Sequence, residues 1–229
     1  MTQNVIKSSD SRAFTLIELL TVIAIIAVLA AIGVGLAGAA KTARVNSRAK
    51  GELQQIATAI EAYKGDRGVY PPDHQLNISF NGRPVVDPVI NPLFYELRGM
   101  EVHQGKFRGR GQAETLDPQD VKRVFGRAGF LNTTVDDGQV SKSYLEPKAS
   151  SVRRVTIDSV AVDLLASPFD WPGTVAGPNG EQEAAPINNS RVNPWRYVSS
   201  SPTNNSGGFD LWLDVYTSAT AVKRVFRNW

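Results

Sequence analysis

Between Phe14 and Ala40 a single ionisable side chain, Glu18, interrupts an otherwise apolar run. A charge inside hydrocarbon is costly even on lenient insertion scales, so a carboxylate kept there must meet a partner or reach an interface. Other reactive chemistry is sparse. The chain has no cysteine, which removes disulfides, thiolate metal sites and thiol nucleophiles. Its two histidines, His74 and His103, lie in polar stretches with no second ligand at helical spacing, and each reads as a surface residue. No catalytic constellation can be assembled from these spacings, and an enzyme is not expected. Gly105 to Gly111 interleaves Lys106, Arg108 and Arg110 with Phe107, as single-strand binders do, but a solvated loop accounts for the pattern and no nucleic-acid partner is inferred. Asn77-Ile78-Ser79 and Asn132-Thr133-Thr134 match glycosylation sequons, a pattern too short to assign.

The elements that must position Glu18 begin with the apolar run itself. A chain of 229 residues with 42% hydrophobic residues and one long apolar segment suits a membrane or stalk helix plus one soluble domain. The formal charge of +3 comes from scattered residues and selects no partner. As a helix, Phe14 to Ala40 rises roughly 40 Å, more than the roughly 30 Å hydrocarbon core requires. A secretory signal peptide would have an apolar stretch of only about 7 to 15 residues. Ala37-Gly38-Ala39 supplies a small-residue site for such a peptide, but the run is too long and contains Glu18. An uncleaved anchor, with Glu18 snorkelling to the interface, is the plain structural reading.

Beyond the run, Val45, Ala49, Leu53, Ile56, Ala57, Ile60 and Tyr63 recur at three- and four-residue spacing, one apolar stripe of a helix facing a soluble core. Gly65, Gly68 and Pro71-Pro72 stop it. Residues 91–97 and 118–125 read as short helices, the second capped by Asp117. Val152 to Leu165 is rich in Val, Ile and Thr and reads as strand. The Pro- and Gly-rich stretch from Pro168 to Pro186 reads as a turn-rich loop before a final hairpin.

Arg12-Ala13-Phe14-Thr15-Leu16-Ile17-Glu18-Leu19-Leu20 resembles the processing and methylation site of type IV prepilins and type II secretion pseudopilins. The resemblance implies that a prepilin peptidase cuts between Ala13 and Phe14 and methylates the new amine of Phe14. The family usually has Gly before the cut, where this chain has Ala13, the next smallest residue. It further implies that Glu18, fifth in the mature chain, pairs with the N-terminal amine of a neighbouring subunit in a filament, so that a buried charge is neutralised. The basic residues Lys41, Arg44, Arg48 and Lys50 follow the span against the usual positive-inside bias. The leader motif outweighs them and sets the N-terminus in the cytoplasm. Gly33, Gly35 and Gly38 cluster midway. They allow either close packing of membrane helices or, as in the relatives, a segment that unwinds on assembly.

Ala59 to Pro71, Asn193-Pro194-Trp195-Arg196-Tyr197-Val198 and Gly208-Phe209-Asp210-Leu211-Trp212 resemble the helix exit and C-terminal strands of the major pseudopilin group. Residues 80–185 are outside that resemblance. The implied fold is α+β and pilin-like: a long N-terminal helix, membrane-spanning in its first half and amphipathic in its second, packed on a C-terminal antiparallel β-sheet. The domains expected are a leader over 1–13, a transmembrane and assembly helix over 14–40, an amphipathic helix over 41–64 and a periplasmic globular domain over 65–229. The implied role is a structural subunit that polymerises, with itself and other pseudopilins on an inner-membrane assembly platform, into a filament driving protein export. A pilus subunit for adhesion, motility or DNA uptake is the alternative within the class. A membrane-anchored binding domain that never polymerises is the alternative outside it. Major pseudopilins hold calcium through an Asp matching Asp210 and a second Asp seven residues on, which here is Thr217, with Asp214 the nearest carboxylate. Asp210 and Asp214 in one strand stand about 13 Å apart, and weak or absent calcium binding is expected.

Overall fold

The structure, a computed structural model, describes residues 15–109, 114–134, 140–176, 182–187, 190–216 and 223–229, with side chains throughout except at 32–39, 77, 83 and 84. The chain divides into two units, Met1–Arg44 and Val45–Trp229. Helix α1 runs over Leu16–Arg67, and its backbone stays helical through Gly33, Gly35 and Gly38. In the first unit the large apolar side chains from Leu16 to Leu29 are exposed. Among the described residues no helix is long and apolar enough to cross a membrane.

In the second unit the expected stripe of α1 faces the core. Ala49, Ile60 and Tyr63 are fully buried, Val45 and Ile56 nearly so, and Leu53 and Ala57 pack at the edge, while Ala59, outside the expected stripe, is buried as well. Full burial of one such apolar side chain contributes on the order of 1.5–3 kcal/mol. The helix stops at Gly68, which takes a left-handed φ of 75°.

Next come β1 (His74–Phe80) and β2 (Arg83–Asp87), paired through an Asn81-Gly82 turn. Both turn residues have positive φ, the geometry that selects Asn-Gly in two-residue hairpins. Helix α2 (Leu93–Arg98) follows, then β3 (Met100–His103), β4 (Lys106–Gly109) and β5 (Thr115–Leu116). Helix α3 (Pro118–Phe125) starts as the sequence implies: the Asp117 carboxylate accepts from the Gln119 N–H at 3.0 Å, with Pro118 in the first turn. It ends on Gly126 at φ 70°, where a Cβ would lie 2.7 Å from the Gln75 carbonyl oxygen. Strand β6 (Thr133–Thr134) pairs parallel with β3.

The single sheet expected is replaced by five small ones among the described residues: β1–β2, β5-β4-β3-β6, β7–β8, β9–β10 and β11-β12-β13. The later strands are β7 (Val152–Ile157), β8 (Val160–Leu165), β9 (Val175–Ala176), β10 (Gln182–Glu183), β11 (Arg196–Val198), β12 (Asp210–Tyr216) and β13 (Lys223–Arg227). All pairs but β3–β6 are antiparallel. Residues 152–165 are two strands, not one, because Asp158 and Ser159 take positive φ and reverse the chain. Several strands are only two or three residues long, too short to extend a common sheet.

One core joins these pieces. The side chains of Trp195, Tyr197, Leu211 and Leu213 from the final hairpin join the α1 face, α2 and α3 in it. Tyr95, Phe125, Phe130 and Phe107 form an aromatic cluster, with centroid separations of 4.9 Å for Tyr95–Phe130 and 5.2 Å for Phe107–Phe130. Phe107 is therefore committed to packing. Its neighbours Lys106 and Arg108 meet Asp117 and Glu101 at 4.0 and 3.3 Å, so these two cations are already engaged by carboxylates. His74, expected at the surface, is instead buried, and its Nδ1 lies 2.9 Å from the Ile90 carbonyl oxygen. Asn132 of the second sequon is also buried.

Candidate assembly site

Ala13 and Phe14, the expected cleavage and methylation pair, lie outside the described residues. Glu18 lies within them, on the first turn of α1. Its Oε2 accepts from the Thr15 backbone N–H at 2.9 Å and from the Thr15 hydroxyl at 2.7 Å, while the Glu18 N–H points back to Thr15 Oγ1 at 3.3 Å. This is a capping box, in which the side chains at the N-cap and three residues on satisfy each other's orphan backbone donors. The intermolecular role expected for Glu18 therefore omits a local one. The Thr-x-x-Glu spacing before an apolar run is its sequence signal. Both hydrogen bonds fall on Oε2.

At the far end of α1 a buried carboxylate joins three segments. Glu96 of α2 is fully buried. Its oxygens accept from the Tyr63 hydroxyl at 2.9 Å, the Leu131 N–H at 2.8 Å and the Asn132 N–H at 3.0 Å. Burial pushes the Glu96 carboxyl above its ordinary value, against the pull of these three donors. Asn132 extends the clasp: its Oδ1 accepts from Arg67 at 2.5 Å and its Nδ2 donates to the Glu96 and Lys142 carbonyl oxygens.

The C-terminal carboxylates have separate partners. Asp210 Oδ2 accepts from the Thr203 and Asn204 N–H groups at 2.8 and 3.0 Å and from Asn204 Nδ2 at 3.1 Å, and Oδ1 accepts from the Asn205 N–H at 2.9 Å. Asp73 holds the start of the same loop through the Ser199 and Ser200 N–H groups at 2.9 and 2.8 Å. Asp214 instead faces Lys223 at 3.3 Å and Arg196 at 3.7 Å. Donor hydrogens point at both Asp210 oxygens and two cations face Asp214, so this donor set does not fit a calcium ion, which needs six to eight free oxygen ligands. Thr217 lies outside the described residues. Among the described residues no group of three or more His, Asp or Glu side chains could hold a metal.

With this geometry in place the comparisons define the class. Residues 8–34 match the prokaryotic N-terminal methylation motif. The N-terminal segment is thus type IV prepilin-like or pseudopilin-like, and the proteins that carry this motif are structural. The match covers Ala13, Phe14, Thr15 and Glu18 together. No curated protein and no solved structure matches the chain.

Proposed function

We propose that the protein is a pseudopilin: a structural subunit that, after removal of residues 1–13, polymerises into a type II secretion-like filament driving protein export. The match of residues 8–34 to the methylation motif carries the reading. In it, residues 14–40 anchor the precursor in the inner membrane with the leader in the cytoplasm, and the globular unit lies in the periplasm. Assembly then draws the subunit into a filament with further copies or other pseudopilins. Glu18, whose Oε2 is held by Thr15, offers its charge to the methylated amine of a neighbouring Phe14. A buried carboxylate is tolerated when such a partner neutralises it.

Co-expression with a prepilin peptidase tests the reading. Intact-mass measurement is expected to show loss of 13 residues and one added methyl group at Phe14. An N-terminus at Ala40 would mean ordinary signal-peptidase cleavage and would sink the proposal.

A further inference from the structure

Two features of the globular unit are open to solvent among the described residues. The first is the β1–β2 hairpin, a two-stranded sheet of its own, whose Ile78 and Phe80 are 60% and 73% exposed. The pairing of β1 with β2 is irregular between Gln75 and Ser79, and both side chains are left to solvent. Bare two-stranded hairpins are marginal in water, and one that carries an exposed aromatic beside its turn gains by covering it. The second is an open groove of about 800 Å³ whose apolar lining comes from Leu53 and Ala57 of α1, Phe209 and Trp229. Its loop wall is fixed: the side-chain amides of Asn205 and Asn228 both donate to the Phe209 carbonyl oxygen, at 3.1 and 2.9 Å, and Asp210 pins the chain just behind. The groove mixes these apolar residues with polar ones such as Gln54, Thr58 and Asn205, and an aromatic anchor seated in a pocket is the usual energetic centre of a protein interface.

We infer that the hairpin tip of one subunit, Ile78 and Phe80, docks in the groove of a second copy of this chain. The size of the contact selects that occupant. Two side chains bring on the order of 300 Å² of apolar surface, roughly 600 Å² counted over both partners and still short of the roughly 1,000 Å² total that a free partner needs for a specific complex. So small a contact is occupied only when the partner is already held nearby, where tethering raises its effective concentration. A neighbouring subunit in the same filament meets that condition. An exposed patch and a groove at different places on one chain also give a heterologous contact, which repeats head to tail into a ring or an open helical polymer instead of an isologous dimer. The inference rests on the polymerisation proposed above and adds which surfaces meet.

The natural absence of cysteine makes the test clean. Full-length Phe80→Cys and Thr58→Cys chains, the latter substituted in the groove, are co-expressed with the peptidase and assembly machinery and then mildly oxidised. A disulfide-linked pair is expected only when both variants are present, with each variant alone giving roughly a hundredfold less, as expected from effective concentration. Phe80→Asp, an exposed change that leaves the fold intact, is expected to lower filament yield roughly tenfold, with Phe80→Leu retaining most of it. Filaments without the Phe80–Thr58 cross-link, or unaffected by Phe80→Asp, overturn the docking while leaving polymerisation standing. Failure of the unsubstituted, processed chain to form filaments overturns both.

Discussion

Glu18 carries two roles that a single substitution can separate. As the third helical residue it closes a capping box with Thr15, and as a charge it is proposed to neutralise a neighbour's amine. Glutamine serves a capping box as well as glutamate does but has no charge. Glu18→Gln is therefore expected to keep insertion and cleavage and to fail in filament incorporation as completely as Glu18→Ala. Cysteine cross-linking of filaments in cells reads the outcome. A Gln variant that assembles like the natural chain would reduce Glu18 to a cap and remove the charge pairing. The histidines carry the opposite lesson. His74 looked like a surface residue because its neighbours in sequence are polar, whereas its burial is set by Gly126 and Ile90, which pack on it from elsewhere in the chain. Nothing local encodes that.

At the scale of elements, helices were the most legible. The stripe from Val45 to Tyr63 repeats often enough to fix both its period and its buried face, and Asp117-Pro118 announces α3 through capping chemistry. The sheets were not, because strands of two or three residues carry no period, and their pairing depends on partners far away in sequence. The β7–β8 turn shows the difficulty. Asp158-Ser159 lacks the Gly or Asn that usually marks a two-residue turn, yet both residues adopt positive φ, 47° and 67°. A left-handed conformation costs a residue with a side chain about 1 kcal/mol or more. Replacing the pair by Asn-Gly is expected to stabilise the globular unit by about 1 kcal/mol, measured by chemical denaturation. An unchanged midpoint would mean that the turn is not strained.

The loop from Ser199 to Asp210 belongs to the same scale. Its carboxylates collect backbone N–H groups where the family resemblance implies a cation. Asp210→Ala strips four donors of their acceptor, and hydrogen bonds to a charged group contribute about 1.5–3 kcal/mol each when buried. A loss of about 2–3 kcal/mol is expected after partial rescue by water. Calcium and a chelator are expected to leave the melting temperature of the natural chain unchanged. A sizeable rise at sub-millimolar calcium, lost in Asp210→Ala, would overturn the expectation of weak or absent calcium binding.

For the whole molecule, Glu96 links stability to pH. Its folded pKa is raised by burial above the ordinary 4.5, so the unfolded chain releases this proton first as pH rises. Its contribution is then fully present below the ordinary value and is lost as pH climbs through the raised one. Glu96→Gln has no such proton. It also turns an amide donor toward the Leu131 or Asn132 N–H, which costs about 1–3 kcal/mol in acid. The stability difference between natural chain and variant is therefore expected to shrink from acid toward neutral pH, followed by urea denaturation across that range. A difference that grows with pH would show that the three donors outweigh burial.

The same clasp has a mechanical consequence. In the filament proposed above, a subunit seized by its N-terminal segment would be loaded along α1. That helix is fastened to the globular unit near its last turn, where Tyr63 and Arg67 reach Glu96 and Asn132, and along the buried face that begins at Val45. Tension would then bear on these attachments in parallel, as shear, instead of peeling them apart one after another. Resistance to force is set by the rate of unfolding, so the grip of the helix is a matter of lifetime under load more than of equilibrium stability.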